Sequence, residues 1–150
     1  MNAISTKACT ISNVPFFEEV ERLLHEDIKV TILVKGGSMR PFLQNGDKVL
    51  LAPVSQKISR GDIALAHTSF GVLLHRIVRI KGERIWLAGD ANNRQLEQTT
   101  RDEMIGIVEK AWRKERMLSV NSPFNRALAF LWYLLRPFRG YILGAYYRLR

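Results

Sequence analysis

The chain has 150 residues, of which 47% are hydrophobic and 25% charged, and its formal net charge at pH 7 is +9. This length suits one domain with a substantial core, and the composition excludes a largely disordered chain. The single cysteine, Cys9, excludes an internal disulfide and any zinc site built on cysteines. We expect neither a metal ion nor a cofactor.

Most of the positive charge lies in the C-terminal part of the chain. Residues 1–109 contain 14 Lys and Arg against 13 Asp and Glu, whereas residues 110–150 contain nine Lys and Arg against Glu115 alone. A basic tail suits nucleic acid or an anionic membrane surface. Aromatic and aliphatic residues surround the arginines of this tail, so we expect a membrane surface and no nucleic acid.

The N-terminal residues do not have the pattern of a targeting segment. Residues 1–12 lack the basic start and apolar run of a secretory signal peptide, and no stretch near them reaches the ~18–20 apolar residues of a membrane span. An apolar face at helical spacing follows, which predicts a short amphipathic helix. Its residues are Phe16, Val20, Leu23 and Leu24.

From residue 28 the pattern changes to that of strands, rich in β-branched residues and separated by turns that contain glycine. Short strands at this spacing predict a mainly β (α+β) fold with an antiparallel coiled sheet or barrel, rather than alternating strands and helices. The predicted strands are Ile28–Lys35, Lys48–Val54, Asp62–His67, Val72–Ile80, Arg84–Ala88 and Met104–Trp112.

The C-terminal tail is predicted to be helical. Ser122 and Pro123 are a typical helix start, and nine apolar residues follow from 127 to 135 before Arg136-Pro137 breaks the run. A second segment, residues 141–149, mixes tyrosines with arginine. Neither segment is long enough to cross a bilayer, and the composition is typical of helices that lie in the headgroup region. The alternative is a helical hairpin that packs on the sheet or against a membrane protein.

A compact turn, Gly36-Gly37-Ser38-Met39-Arg40-Pro41, contains the first candidate for chemistry. Glycine permits positive φ and close approach, and proline fixes φ downstream, so the backbone turns abruptly around Ser38. A serine exposed on such a turn is suited to act as a nucleophile. The alternative interpretation is an ordinary loop serine between two strands.

Further motifs follow this turn in a specific order. Gly46-Asp47 and Gly61-Asp62 each precede an apolar run, Leu74-His75-Arg76 lies within a strand, and Gly89-Asp90-Ala91-Asn92 closes the series. Together with the Ser-Met-x-Pro box, this order resembles the catalytic domain of the type I signal peptidases and the self-cleaving repressors, over about residues 30 to 110. That superfamily consists of serine endopeptidases.

The resemblance implies a role for each candidate site residue. Ser38 stands at the nucleophile. His75 stands where the bacterial branch mostly has a lysine base. The archaeal and endoplasmic-reticulum branch has a histidine at this place, and an imidazole is suited to act as a base at neutral pH. Asp90 is the candidate to hold the second ring nitrogen of His75. The alternatives are a structural histidine and an aspartate that caps its own loop.

The sequence departs from the family pattern at two places. Many signal peptidases have a serine two residues before the nucleophile, and this chain has Gly36, which leaves the oxyanion to backbone N–H groups such as that of Ser38. Related histidine-type enzymes have a second acid five or six residues after the aspartate. Those positions here are Gln95 and Leu96, with Glu97 one residue further.

These observations predict three parts: residues 1–29 as an N-terminal tail and helix, 30–113 as the catalytic domain, and 114–150 as a basic helical segment. The predicted activity is cleavage of leader or signal segments, bound as extended polypeptide, at a membrane surface or beside a membrane-protein partner on the cytoplasmic face. One alternative is a non-catalytic peptide-binding relative. Another is a self-cleaving regulator, which the short N-terminal part disfavours because it is too small for a typical DNA-binding domain and a cleavage linker.

Overall fold

A computed structural model describes residues 14–54, 57–92 and 95–149. Within these ranges the chain forms three α-helices and eight strands, with short 3-10 turns at Arg101–Glu103 and Arg136–Phe138. In chain order the elements are α1 (Val14–His25), β1 (Val30–Leu33), β2 (Lys48–Ala52), β3 (Ile63–Thr68), β4 (Gly71–Lys81), β5 (Arg84–Ala88), β6 (Glu97–Thr100), β7 (Met104–Arg113), β8 (Arg116–Leu118), α2 (Pro123–Leu134) and α3 (Arg139–Arg148).

The strands form one antiparallel sheet in the order β1-β2-β7-β3-β4-β5-β6, with β8 paired to β7. The sheet is coiled. The Thr99 hydroxyl on β6 donates to the His67 carbonyl on β3, although β4 and β5 lie between these two strands in the sheet order. The predicted fold class, a mainly β domain with a coiled antiparallel sheet and flanking helices, is confirmed. The sequence analysis missed two short strands, β6 and β8.

Helix α1 covers one face of the sheet through the apolar residues predicted from its sequence. Val20 is fully buried and Leu24 is nearly so. A Cβ at Gly106 on β7 would lie 2.9 Å from a Leu24 methyl carbon, so glycine lets the helix approach the sheet closely. Glu21 on α1 also binds the His67 ring at 3.1 Å. His67 therefore connects α1 to β3.

Helix α2 begins as predicted, with the Ser122 hydroxyl accepting a hydrogen bond from the Asn125 amide at 3.2 Å. Arg126 connects the helix to the start of β3 by donating to the Asp62 carboxylate at 2.7 Å. The Asp62 carboxylate also accepts from the Ser59 amide, so Asp62 has a structural role at the start of β3. Ala129, in the middle of α2, is the buried residue of this helix.

Large apolar side chains remain exposed along α2, α3 and the 3-10 turn between them. We call this set the C-terminal apolar surface: Phe124, Leu128, Phe130, Leu131, Leu134, Phe138, Tyr141, Ile142, Leu143, Tyr146, Tyr147 and Leu149. No helix in the described part of the chain is long and apolar enough to cross a membrane.

The loop between β1 and β2 presents Ser38 and is anchored at several points. Met39 and Leu43 are almost completely buried in the main hydrophobic core. At the end of the loop, the Asp47 carboxylate accepts from the Gln44 amide and from two nitrogens of Arg113. That carboxylate raises the pKa of Arg113 above its ordinary value, chiefly through the hydrogen bonds. Asp47 is therefore structural, and its hydrogen bonds fix the end of the loop.

Candidate active site

Ser38 lies half-buried in the β1–β2 loop, immediately after two glycines. Gly36 has a φ of 76°, a conformation that residues with a Cβ rarely adopt, and its amide donates to the Asn45 side chain at 3.0 Å. The abrupt turn predicted from the sequence is therefore present. Because the backbone at Gly36 is left-handed, a serine at this position would be strained, which accounts for glycine at this departure from the family pattern.

His75 lies in the middle of β4 and forms a buried hydrogen bond with Glu97 at the start of β6. The two residues are 3% and 1% exposed, and the distance from His75 Nδ1 to Glu97 Oε2 is 2.8 Å. A carboxylate only accepts hydrogen bonds, so the ring nitrogen must be the donor. In the neutral ring this leaves Nε2 without a proton and able to accept one. This protonation pattern is the one that a general base requires.

Asp90 binds Arg76 instead of His75. The Arg76 guanidinium donates to the two carboxylate oxygens of Asp90 at 2.9 and 2.8 Å, and both side chains are buried. Arg76 also donates to the Gly61 carbonyl at 2.9 Å. This pairing differs from the predicted contact between Asp90 and His75. The planar guanidinium matches a carboxylate in two parallel bonds, so it holds Asp90 more firmly than an imidazole would.

The turn at residues 89–92 brings Ser38 and His75 together. The Ala91 amide donates to the Ser38 carbonyl at 2.9 Å. A Cβ added at Gly89 would lie 2.7 Å from that carbonyl oxygen and 3.1 Å from His75 Nε2. The unprotonated ring nitrogen and the backbone of the serine therefore both border on Gly89, at a place where only glycine fits.

Among the described residues, the Ser38 hydroxyl forms no hydrogen bond with the His75 ring. Hydrogen bonds between nucleophile and base are often long or poorly aligned in enzymes without substrate, and they tighten when substrate binds. The backbone contact through Gly89 nevertheless places the two residues side by side. The geometry thus brings together Ser38, His75 and Glu97, and it keeps Asp90 beside them as a ligand of Arg76.

The C-terminal helices form hydrogen bonds with the outer side of the same turn. The Trp132 indole N–H donates to the Asp90 carbonyl at 2.7 Å, and one Arg139 nitrogen donates to the carbonyls of Asp90 and Asn92 at 2.5 and 3.2 Å. Arg139 is only 1% exposed. This burial, with a smaller effect from the nearby Arg136, lowers the pKa of Arg139 from its ordinary value, and Asp90 opposes the shift.

Sequence reasoning missed two members of the site. Glu97 was one residue away from the expected second acid, and its strand, Glu-Gln-Thr-Thr, has no apolar alternation. The usable signal was the β-branched Thr99-Thr100 pair, which places Glu97 and Thr99 on one face of a short strand. Arg76 was noted only as part of a motif. Within the described ranges, no group of His, Cys, Asp and Glu is arranged as a metal site.

Comparison with known families agrees with this geometry. The family described as Peptidase S24-like matches residues 12–110, which is more than half of the chain and includes every residue from Ser38 to Glu97. The chain belongs to this family. Membership in the Peptidase S24-like family places it among serine peptidases that share a fold with signal peptidases and self-cleaving repressors. No curated protein matches the chain.

The contact at Gly89 gives a direct test of the site. Gly89→Ala places a Cβ against the Ser38 carbonyl, and a shift of about 1 Å at a reacting group costs about 100-fold in rate. We expect the reaction of Ser38 with a fluorophosphonate probe, followed by mass spectrometry, to slow by about that factor. Gly144→Ala is the matched control, because no atom lies within 4 Å of its added Cβ. Equal labelling of the two variants would contradict the proximity of Gly89 to the reacting groups.

Proposed function

We propose that the protein is a serine endopeptidase of the signal-peptidase type, which cleaves leader or signal segments of peptide or protein substrates. The observation that carries the proposal is the buried His75–Glu97 pair, whose free ring nitrogen borders on the Ser38 backbone at Gly89. A serine peptidase needs a base with one ring nitrogen held by a carboxylate and the other facing the nucleophile. Membership in the Peptidase S24-like family supports the same class of reaction.

The mechanism follows from these positions. His75 Nε2 takes the hydroxyl proton as Ser38 Oγ attacks the scissile carbonyl carbon, and Glu97 stabilises the resulting imidazolium. The proton then passes to the leaving amine as the peptide bond breaks. In the second half of the reaction His75 takes a proton from water, the water oxygen attacks the acyl-enzyme, and the proton returns to Ser38 Oγ as the ester bond breaks. With glycine at position 36, the backbone N–H of Ser38 holds the oxyanion. Loss of one such donor costs about 100- to 1000-fold in other serine peptidases.

The substrate binds as an extended segment beside the nucleophile loop. Strand β1 stands at the end of the sheet order and leads directly into this loop, so its outer edge offers main-chain donors and acceptors to a peptide. A cavity of about 500 Å³ lies next to the same loop, between Phe42 and the α2 residues Leu128 and Leu131. Its largely apolar wall suits the apolar side chains of a leader segment.

The C-terminal apolar surface attaches the protein to an anionic membrane surface or to a membrane-protein partner, at the cytoplasmic face. Tyr141 is 80% exposed and Leu149 is 90% exposed, and exposed apolar area of this extent marks an interaction surface. Residues 116–150 contain six arginines and no acidic residue. The Arg139 guanidinium is buried and Arg126 is paired with Asp62, whereas each exposed basic side chain contributes about 1 kcal/mol near an anionic bilayer. The tyrosines suit the headgroup region.

A non-catalytic peptide-binding relative is the second candidate. Gly36 supplies no side-chain donor to an oxyanion, and the Ser38 hydroxyl is not bonded to His75 among the described residues. Such a protein would bind leader peptides on β1 without cutting them and would not react with a serine-directed probe. A self-cleaving regulator would instead cut its own chain in the absence of any added peptide.

Substitution of the nucleophile and the base tests catalysis. We expect Ser38→Ala and His75→Ala to abolish cleavage of leader peptides and labelling by a fluorophosphonate, because one removes the attacking oxygen and the other its base. His67→Ala is the control, since the ring of His67 is hydrogen-bonded to Glu21 on α1. Peptide products are followed by mass spectrometry and folding by circular dichroism. Cleavage by a well-folded Ser38→Ala protein at the wild-type rate would refute the proposed enzyme.

The membrane assignment is tested by sedimentation with vesicles of anionic phospholipid. We expect the wild-type protein to bind, and binding to weaken with rising salt without vanishing, because burial of apolar groups is not screened. The double variant Tyr141→Ser/Leu149→Ser should bind at least about tenfold more weakly, since both side chains are lost from the interface. Phe70→Ser, which alters an exposed residue in the β3–β4 turn, should bind normally. A wild-type protein that stays in the supernatant would contradict attachment to a lipid surface and leave a membrane-protein partner as the occupant.

A further inference from the structure

We propose that Trp132 and Arg139, in the C-terminal helices, are positioning residues for the reaction of Ser38. The inference builds on the proposed function, because it takes Ser38 and His75 as the reacting pair. It goes further by giving the inner face of the C-terminal helices a part in catalysis, distinct from the outward C-terminal apolar surface.

The turn at residues 89–92 is held from two sides. On the inner side, the Arg76 guanidinium binds the Asp90 carboxylate through two hydrogen bonds. On the outer side, the Trp132 indole and Arg139 both donate to the carbonyl of the same residue, Asp90. The side chain and the main chain of Asp90 are thus fixed by different elements of the fold, and its position depends on both.

Arg139 also connects the helices to each other. Two of its nitrogens donate to the Trp132 carbonyl at 3.0 and 2.7 Å, and a third donates to the Asp90 and Asn92 carbonyls. Its guanidinium carbon lies 4.7 Å from the centre of the Trp132 ring. A buried guanidinium with four hydrogen bonds and a ring contact is a rigid support, since its planar donors fix the direction of each hydrogen bond.

The turn transmits this support to the reacting residues. The Ala91 amide donates to the Ser38 carbonyl, and Gly89 packs against that carbonyl and against His75 Nε2. A turn that shifts outward would therefore move the Ser38 peptide group away from the ring nitrogen. Misplacement of about 1 Å is enough to slow an enzymatic reaction by about 100-fold.

Trp132→Phe and Arg139→Lys test the proposal, because the first keeps an aromatic ring and the second keeps the charge, while both lose donors to the turn. Ser122→Ala is the matched control, since it weakens the start of α2 and contacts no residue of the turn. Each protein is compared at the same margin below its own unfolding temperature, so that a general loss of stability is not mistaken for a local effect. The full chain is used throughout.

Two readouts are measured: hydrogen exchange of the Ala91 amide by NMR, and the rate of Ser38 labelling by a fluorophosphonate. We expect Trp132→Phe and Arg139→Lys to accelerate exchange and slow labelling by about tenfold or more, with kcat for a leader peptide reduced and KM unchanged. Ser122→Ala should change neither rate. Unchanged Ala91 exchange in both test variants, or equal effects in Ser122→Ala, would overturn the proposal. A wild-type protein that is never labelled would refute the proposed function, and the exchange data would still decide whether these residues hold the turn.

Discussion

The hydrogen bond between His75 and Glu97 is the interaction on which the rest of the site depends. Both side chains are excluded from water, and a buried polar group left without its partner costs about 1–3 kcal/mol. The pair therefore sets the direction of the imidazole and leaves Nε2 facing Gly89 and the Ser38 backbone. The coiled sheet allows this contact. In its strand order β5 lies between β4 and β6, so the side chains of His75 on β4 and Glu97 on β6 meet across the short strand β5.

The C-terminal helices link this site to the surface of the molecule. Trp132 and Arg139 hold the turn beside Ser38, while the C-terminal apolar surface stays exposed on the same helices. Attachment and catalysis would thus share one structural element. A membrane or a protein partner that bound these exposed residues would contact the same helices that hold the turn beside Ser38.

Much of the fold was predictable because its signals are local. The β-branched strands, the glycine turns and the Ser122-Pro123 helix start each depend on a few neighbouring residues, and the structure has all of them. The partner of His75 was not predictable in this way. Glu97 lies opposite Leu87 on β5, so the contact depends on the register of two strand pairings. Asp90 was the closer acid in sequence, but Arg76 competes for it with a better-matched pair of donors.

NMR of the histidine side chains tests the central claim most directly, because long-range ¹⁵N–¹H correlations distinguish the two neutral tautomers. The account predicts that neutral His75 carries its proton on Nδ1, where Glu97 accepts it, and that Nε2 is bare. His67 is the internal reference: its Nε2 faces Glu21, so its neutral ring should carry the proton there. A His75 ring protonated on Nε2 would contradict the account, since it could not accept the proton of Ser38.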